Sequence, residues 1–203
     1  MKKKKVIMGI LTGIVGLAIL LVAGYGYMGG FRTVEVEEAS FGPHTIIFAT
    51  HRGPYENLEG SWKEFQAQWK AAGLKKCNSI SVYLDAPDTP PDELRTILGC
   101  TVDELAEEER NALSARFPVF HIPAMDSIRS EFPFRNGLSF MVGAMKVYPE
   151  FQRVMEERQF QPAVAFEVYG DSDNIQQIEF VMPVNEPRET FAPLEDAFLT
   201  EGR

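Results

Sequence analysis

The chain has 203 residues and a formal net charge of −9, and four of its twenty basic residues are Lys2 to Lys5. Beyond residue 30 that leaves 16 Lys and Arg against 29 Asp and Glu, a balance of −13. Such a field repels phosphate backbones, presents no basic stripe and favours cations, so no nucleic-acid partner is expected. Two cysteines are too few for a disulfide scaffold or a zinc site of the usual spacing. About 170 residues remain after the first thirty, enough for one domain with its own core.

Lys2 to Lys5 form a basic flank (1–5) ahead of residues 6–27, which carry no charge and are rich in Ile, Leu, Val and Gly. As a helix that run is about 33 Å long, enough to cross a hydrocarbon core of about 30 Å. The reading is an uncleaved single-pass transmembrane helix. A cleaved signal peptide competes with it, but its apolar core is normally shorter and Ala23-Gly24-Tyr25-Gly26 is a poor cleavage site. Lysines before the span and Glu35, Glu37 and Glu38 after it place the amino terminus in the cytoplasm and the domain on the exported side.

Residues 28–40 read as a linker and a first strand, the strand at 33–37, followed by another at 44–50. Gly53-Pro54-Tyr55-Glu56 turns the chain into a helix over 56–72, closed by Gly73. Leu58, Trp62, Phe65 and Trp69 form its apolar stripe; both tryptophans read as core, with indole edges within reach of a pocket wall. Strands at 79–85 and 94–99 flank a stiff, proline-rich turn. If they are antiparallel neighbours, Cys77 falls opposite Cys100 or within one residue of it. A cross-strand disulfide and two buried free thiols are both compatible with that placement. Residues 103–115 read as an acidic helical connector.

The pattern then recurs. Residues 119–131 are strand-like around Pro123, and Phe132-Pro133-Phe134-Arg135 echoes Arg52-Gly53-Pro54-Tyr55. A helix over 137–158 turns Leu138, Met141, Val142, Met145, Phe151, Val154 and Met155 inward, with Pro149 kinking or splitting it. Strands at 163–169 and 176–184 follow, and 185–203 is a tail without clear period that wraps or frays. Two β-α-β-β units, about 41–101 and 117–184, make an α+β domain: one antiparallel-rich sheet with helices on one face, whose uncovered side between the halves becomes a cleft.

In Pro162-Ala-Val-Ala-Phe-Glu-Val-Tyr-Gly170, Val164, Phe166 and Val168 alternate with Ala163, Ala165, Glu167 and Tyr169. The second face, with small residues, a carboxylate and a phenol, suits a pocket floor, although a solvated strand acid gives the same pattern. The repeat equates Ser81 with Glu167 and Tyr83 with Tyr169, putting all four on one face. Two tyrosines beside a glutamate suit a planar or cationic ligand, and burial there raises the carboxyl pKa. Glu179 is the second candidate acid; Tyr55 and Trp62 complete the expected lining. His44, His51 and His121 have no metal-ligand spacing and read as structural, and neither a metal nor a cofactor is expected.

The order of Gly53-Pro54-Tyr55-Glu56, the strand and double-proline loop of 79–94, Phe166-Glu-Val-Tyr169 and Ile178-Glu-Phe-Val-Met-Pro-Val184 resembles the GyrI-like, effector-binding domain family. With the apolar helix in front, the whole is most similar to the membrane-anchored, testis-expressed ER-phagy receptor family. The resemblance implies a small-molecule-binding fold of the GyrI-like, SHS2 type, whose cleft takes hydrophobic or cationic compounds beside an acidic residue. Some members resemble hydrolases that use a cleft glutamate, which would make Glu167 a general base. A protein-interaction adaptor is the third reading. No helix-turn-helix is present to support DNA reading, and an autophagy role borne by a long tail is not expected of a chain that stops at Arg203. Phe191-Ala-Pro-Leu194 fits the bare aromatic-x-x-Leu motif, but its internal proline opposes the extended form.

Overall fold

The computed structural model describes residues 2–86 and 88–200. The side chains of the lysine flank, Pro87 of the proline-rich turn and residues 201–203 of the tail lie outside the described part. The elements are α1 (Lys2–Tyr27), β1 (Glu37–Phe41), β2 (His44–Arg52), α2 (Leu58–Ala71), β3 (Asn78–Tyr83), β4 (Arg95–Thr101), α3 (Glu107–Ser114), β5 (Val119–Ile122), β6 (Met125–Pro133), α4 (Leu138–Arg158), β7 (Ala165–Asp171), β8 (Gln177–Pro183) and α5 (Ala192–Thr200).

All eight strands form one sheet in the order β1-β6-β8-β7-β3-β4-β2-β5, and every pairing is antiparallel. The duplicated unit is β2-α2-β3-β4 and then β6-α4-β7-β8. The halves join where β3 meets β7, with Ser81 directly opposite its repeat mate Glu167. The short strands are exchanged: β1, which leads into β2, pairs with β6, while β5, which leads into β6, pairs with β2. Each half therefore supplies the other's sheet edge, which binds the two into one unit. The first strand starts later than the pattern at 33–37 predicts, because its register is set by pairing with β6. At the β1–β2 turn Gly42 has φ +82, and a Cβ there would sit 2.4 Å from the carbonyl oxygen of Pro123, so only glycine fits.

The sheet is covered on both faces. On one, α2 buries Phe65 and Trp69 against Ile47, Leu98, Leu113 and the Cys77–Cys100 disulfide. Alongside it α4 buries Val142, Val147 and Phe151 against Phe132, Ile178 and Phe180. Gly143 lets α4 approach closely, since a Cβ there would come within 2.9 Å of the Phe180 ring. On the other face Val82, Phe166 and Val181 pack against Phe191, Leu194 and Phe198. The described part of the tail wraps rather than frays: a short 3₁₀ turn (Arg188–Phe191) leads into α5, which closes the second core. Phe191 and Leu194 are fully buried, so the aromatic-x-x-Leu pattern is core packing rather than a docking motif.

The helix over 137–158 continues through Pro149 without splitting. Its phase also differs from expectation, for Leu138, Met141 and Met145 are exposed while Ser139, Gly143 and Val147 face the sheet. The apolar residues of α4 cover two faces, and only one of them packs on strands. In α1, residues 7–27 are long and apolar enough to cross a membrane, and none of that stretch is buried against the domain.

Candidate functional site

Strand alternation places Glu167 and Tyr169 of β7 and Tyr83 of β3 on the face shared with α2 and α4. The two helices do not meet over the centre of the sheet. Between them lies a cleft of about 1310 Å³, floored by Glu167, Tyr83, Tyr169 and Ala165 and walled by α2 and α4. The opening is thus on the helix-bearing face, framed by the two helices, and not on the side expected to be uncovered, because α5 closes that face.

Glu167 is only 5% exposed. Three phenols hold its carboxyl group: Tyr169 donates to Oε2 at 3.0 Å, Tyr83 to the same oxygen at 3.2 Å and Tyr148 to Oε1 at 3.0 Å. The Tyr83 and Tyr169 hydroxyl oxygens are 3.3 Å apart. A β-bulge helps to bring them together, because Ile80 pairs with Val168 and Ser79 with Gly170, leaving Tyr169 as the extra residue. Gly170 takes the positive φ of +66 that the strand needs there.

All three partners are neutral, and burial dominates. It pushes the Glu167 carboxyl up to about 7, against the opposing effect of its hydrogen bonds. Burial and the neighbouring carboxylate raise Tyr83, Tyr148 and Tyr169 well above the ordinary phenol range. Tyr55 is pushed up to about 12 by burial, Asp85 and Glu167. The phenols therefore stay protonated and act as hydrogen-bond donors across the neutral range.

Tyr55 stands at the mouth, its ring edge-on to Tyr83 at 5.2 Å. Trp62 lines the wall and meets the Tyr169 ring at 6.4 Å, while Phe140 meets the same ring from α4 at 5.3 Å. Ser81 lies on the same face but is fully buried beneath the tyrosines and does not line the cleft.

Glu179 is not brought to the site. On β8 the residues facing α4 are Ile178 and Phe180, so alternation turns Glu179 the other way. There it ion-pairs with Arg129 at 3.3 Å, and Arg129 also holds Glu37. Tyr148 is not among the residues that the sequence pattern singles out. The sole trace of it in the sequence is its place seven residues after Met141 and three before Phe151, on the flank of α4 between the exposed methionines and the core-facing Phe151, whose ring it meets at 6.3 Å.

Cys77 and Cys100 are bonded, with Cα atoms 5.1 Å apart. The pairing of Ser79 with Cys100 places Cys77 just beyond the end of β3, so the bond runs diagonally between strands rather than straight across. His51 is buried and its Nδ1 lies 2.8 Å from Ser61 Oγ, a contact that ties β2 to α2. Among the described residues no group of His, Cys, Asp and Glu is arranged to hold a metal ion.

No family model matches the sequence, and no curated protein matches it. Solved structures do match in fold. The C-terminal domain of EcmrR superposes with a TM-score of 0.55 at 10% identity, over 76% of this chain and 99% of that one. EcmrR in a complex with DNA gives a TM-score of 0.55 at 13% identity, over 89% of this chain and 70% of that one. SAV2435 bound to tetraphenylphosphonium gives a TM-score of 0.50 at 17% identity, over 76% and 94%. Identities this low establish the fold, an α+β duplicated sheet with helices.

Proposed function

We propose that this is a GyrI-like ligand-binding domain whose cleft takes a lipophilic organic cation, with Glu167 as the counter-charge. The observation that carries the reading is a carboxyl group buried among three phenols at the base of a mostly apolar cleft, with no basic side chain bonded to it. Burying such a group is unfavourable for the free protein. A cation seated on the tyrosine and tryptophan faces would offset that penalty by Coulomb attraction and cation–π contact. SAV2435, of the same fold, has been captured with tetraphenylphosphonium, a ligand of this chemistry.

We also propose that α1 anchors the domain to a membrane as a single pass, with the domain on the exported side, because lysines precede the span and Glu35, Glu37 and Glu38 follow it. Carbonate extraction and protease accessibility of the full chain test this: release by carbonate, or digestion only from the cytoplasmic side, would overturn it. The acidic surface speaks against a nucleic-acid partner here, even though EcmrR has been seen with DNA.

The ligand reading is tested by thermal unfolding of the detergent-solubilised full chain with tetraphenylphosphonium. A ligand-dependent rise in Tm that Glu167→Gln abolishes supports binding. Turnover of an activated ester, lost in the same variant, would favour Glu167 as a general base instead. Absence of both, together with a co-purifying protein, would favour an adaptor.

A further inference from the structure

Among the described residues, large exposed apolar side chains are few outside α1: Phe31 just after it, Tyr55, Met141 and Met145 on the lip of the cleft, Leu138 one turn before Met141 on α4, and Leu199. Leu138, Met141 and Met145 are 59%, 57% and 68% exposed and follow one another at helical spacing on α4. Met141 and Met145 also line the cleft.

This stripe starts where α1 joins the domain. The Arg135 guanidinium lies 5.9 Å from the centre of the Tyr27 ring, three residues before Leu138. Met28 is buried in the core beneath α4. A Cβ at Gly29 would come within 3.1 Å of both Phe132 and Pro133, so the turn after α1 is packed tightly onto the end of β6. Tyr25, Tyr27 and Phe31 gather at this end of α1, with the rings of Tyr25 and Phe31 5.2 Å apart, where tyrosines would mark the water interface of a span.

We infer that Leu138, Met141 and Met145 seat in the headgroup–acyl boundary of the bilayer that α1 enters, so that one lip of the cleft is a lipid contact. The inference rests on the anchor reading above. Its occupant is the bilayer itself, because the stripe is continuous with the aromatic cluster and spans only about 10 Å along α4 from the junction, within reach of the interfacial layer. A lipophilic cation partitioned into that layer then reaches Glu167 along the methionine-lined wall without first entering bulk water.

Tryptophan quenching in liposomes tests it. The full chain is reconstituted in phosphatidylcholine with bromine atoms on the upper acyl chain, and Met145→Trp is compared with Leu199→Trp after subtraction of the native tryptophan signal. Leu199 is the control because α5 covers the opposite face of the sheet. Emission from Met145→Trp should be lost, and emission from Leu199→Trp retained. Equal emission from both in proteoliposomes that float overturns the inference and leaves the anchor standing. Failure of the chain to float with the lipid overturns both. Protection of Met145→Trp that depends on protein density, with a doubled mass in detergent, would assign the stripe to a second copy and equally overturn it.

Discussion

The two halves of the sheet share a frame and differ at its centre. At the junction Ser81 and Glu167 occupy equivalent places and face each other across β3 and β7. One is a small hydroxyl beneath the tyrosines; the other is a carboxyl held by three phenols. The helices differ in the same sense. In the first half α2 brings Trp62 and Trp69 and is backed by a disulfide, whereas in the second α4 brings Tyr148 and an exposed methionine stripe with no such staple. Duplication supplies a symmetrical cleft, and only one copy needs to carry the charge. A second carboxyl at Ser81 would face the first across the strand pair and oppose its ionisation.

The frame should respond as a single body. Phe65→Ala under α2 and Phe151→Ala under α4 each leave a cavity in a fully buried site, and each should lower stability by about 3–5 kcal/mol. Denaturant unfolding followed by circular dichroism and by tryptophan emission should show one coincident transition in both variants. Two separated transitions would mean that the exchanged strands β1 and β5 do not weld the halves together.

The staple distinguishes the halves next. Replacing Cys77 and Cys100 by serine opens a loop closed across a separation of 23 residues, and stability should fall by about 3 kcal/mol. Hydrogen exchange should speed up first in β3, β4 and α2. Uniform acceleration across both halves would contradict a local role for the bond.

The acid sharpens the contrast through pH. In the unfolded chain the Glu167 carboxyl titrates near 4.5, and in the fold at about 7. Between those values the folded state holds the extra proton, so this contribution to stability is complete below 4.5 and is lost as pH rises through 7. The loss amounts to up to about 3 kcal/mol. Glu167→Gln should flatten that slope, and an unchanged slope would mean that other groups produce it. The smallest effect expected is that of Tyr148→Phe, which removes one donor to the carboxylate and should weaken cation binding about tenfold. Calorimetric titration with tetraphenylphosphonium reads this directly.

Much of this architecture is legible in the residues. The proline-aromatic turns at Pro54-Tyr55 and Pro133-Phe134 and the strand pairs Val82-Tyr83 and Val168-Tyr169 expose the duplication. Alternation in 163–169 is enough to put Glu167 beside Tyr169. Three features escape for physical reasons. Tyr148 sits on a helix with apolar residues on two faces, so periodicity alone does not say which face meets the sheet. Glu179 follows the same alternation as Glu167, but its strand is offset so that Ile178 and Phe180 take the cleft side. The tail hides its helix behind Pro187 and Pro193, although Phe191, Leu194 and Phe198 carry the three-and-four spacing of a buried face.

The proposal that Glu167 meets the ligand as a carboxylate is read out by titrating the detergent-solubilised full chain with tetraphenylphosphonium from pH 5 to pH 9. Affinity should rise about tenfold per pH unit below about 7 and level off above it, with Glu167→Gln binding weakly and independently of pH. Equal affinity in the wild type and Glu167→Gln at pH 8 would contradict it.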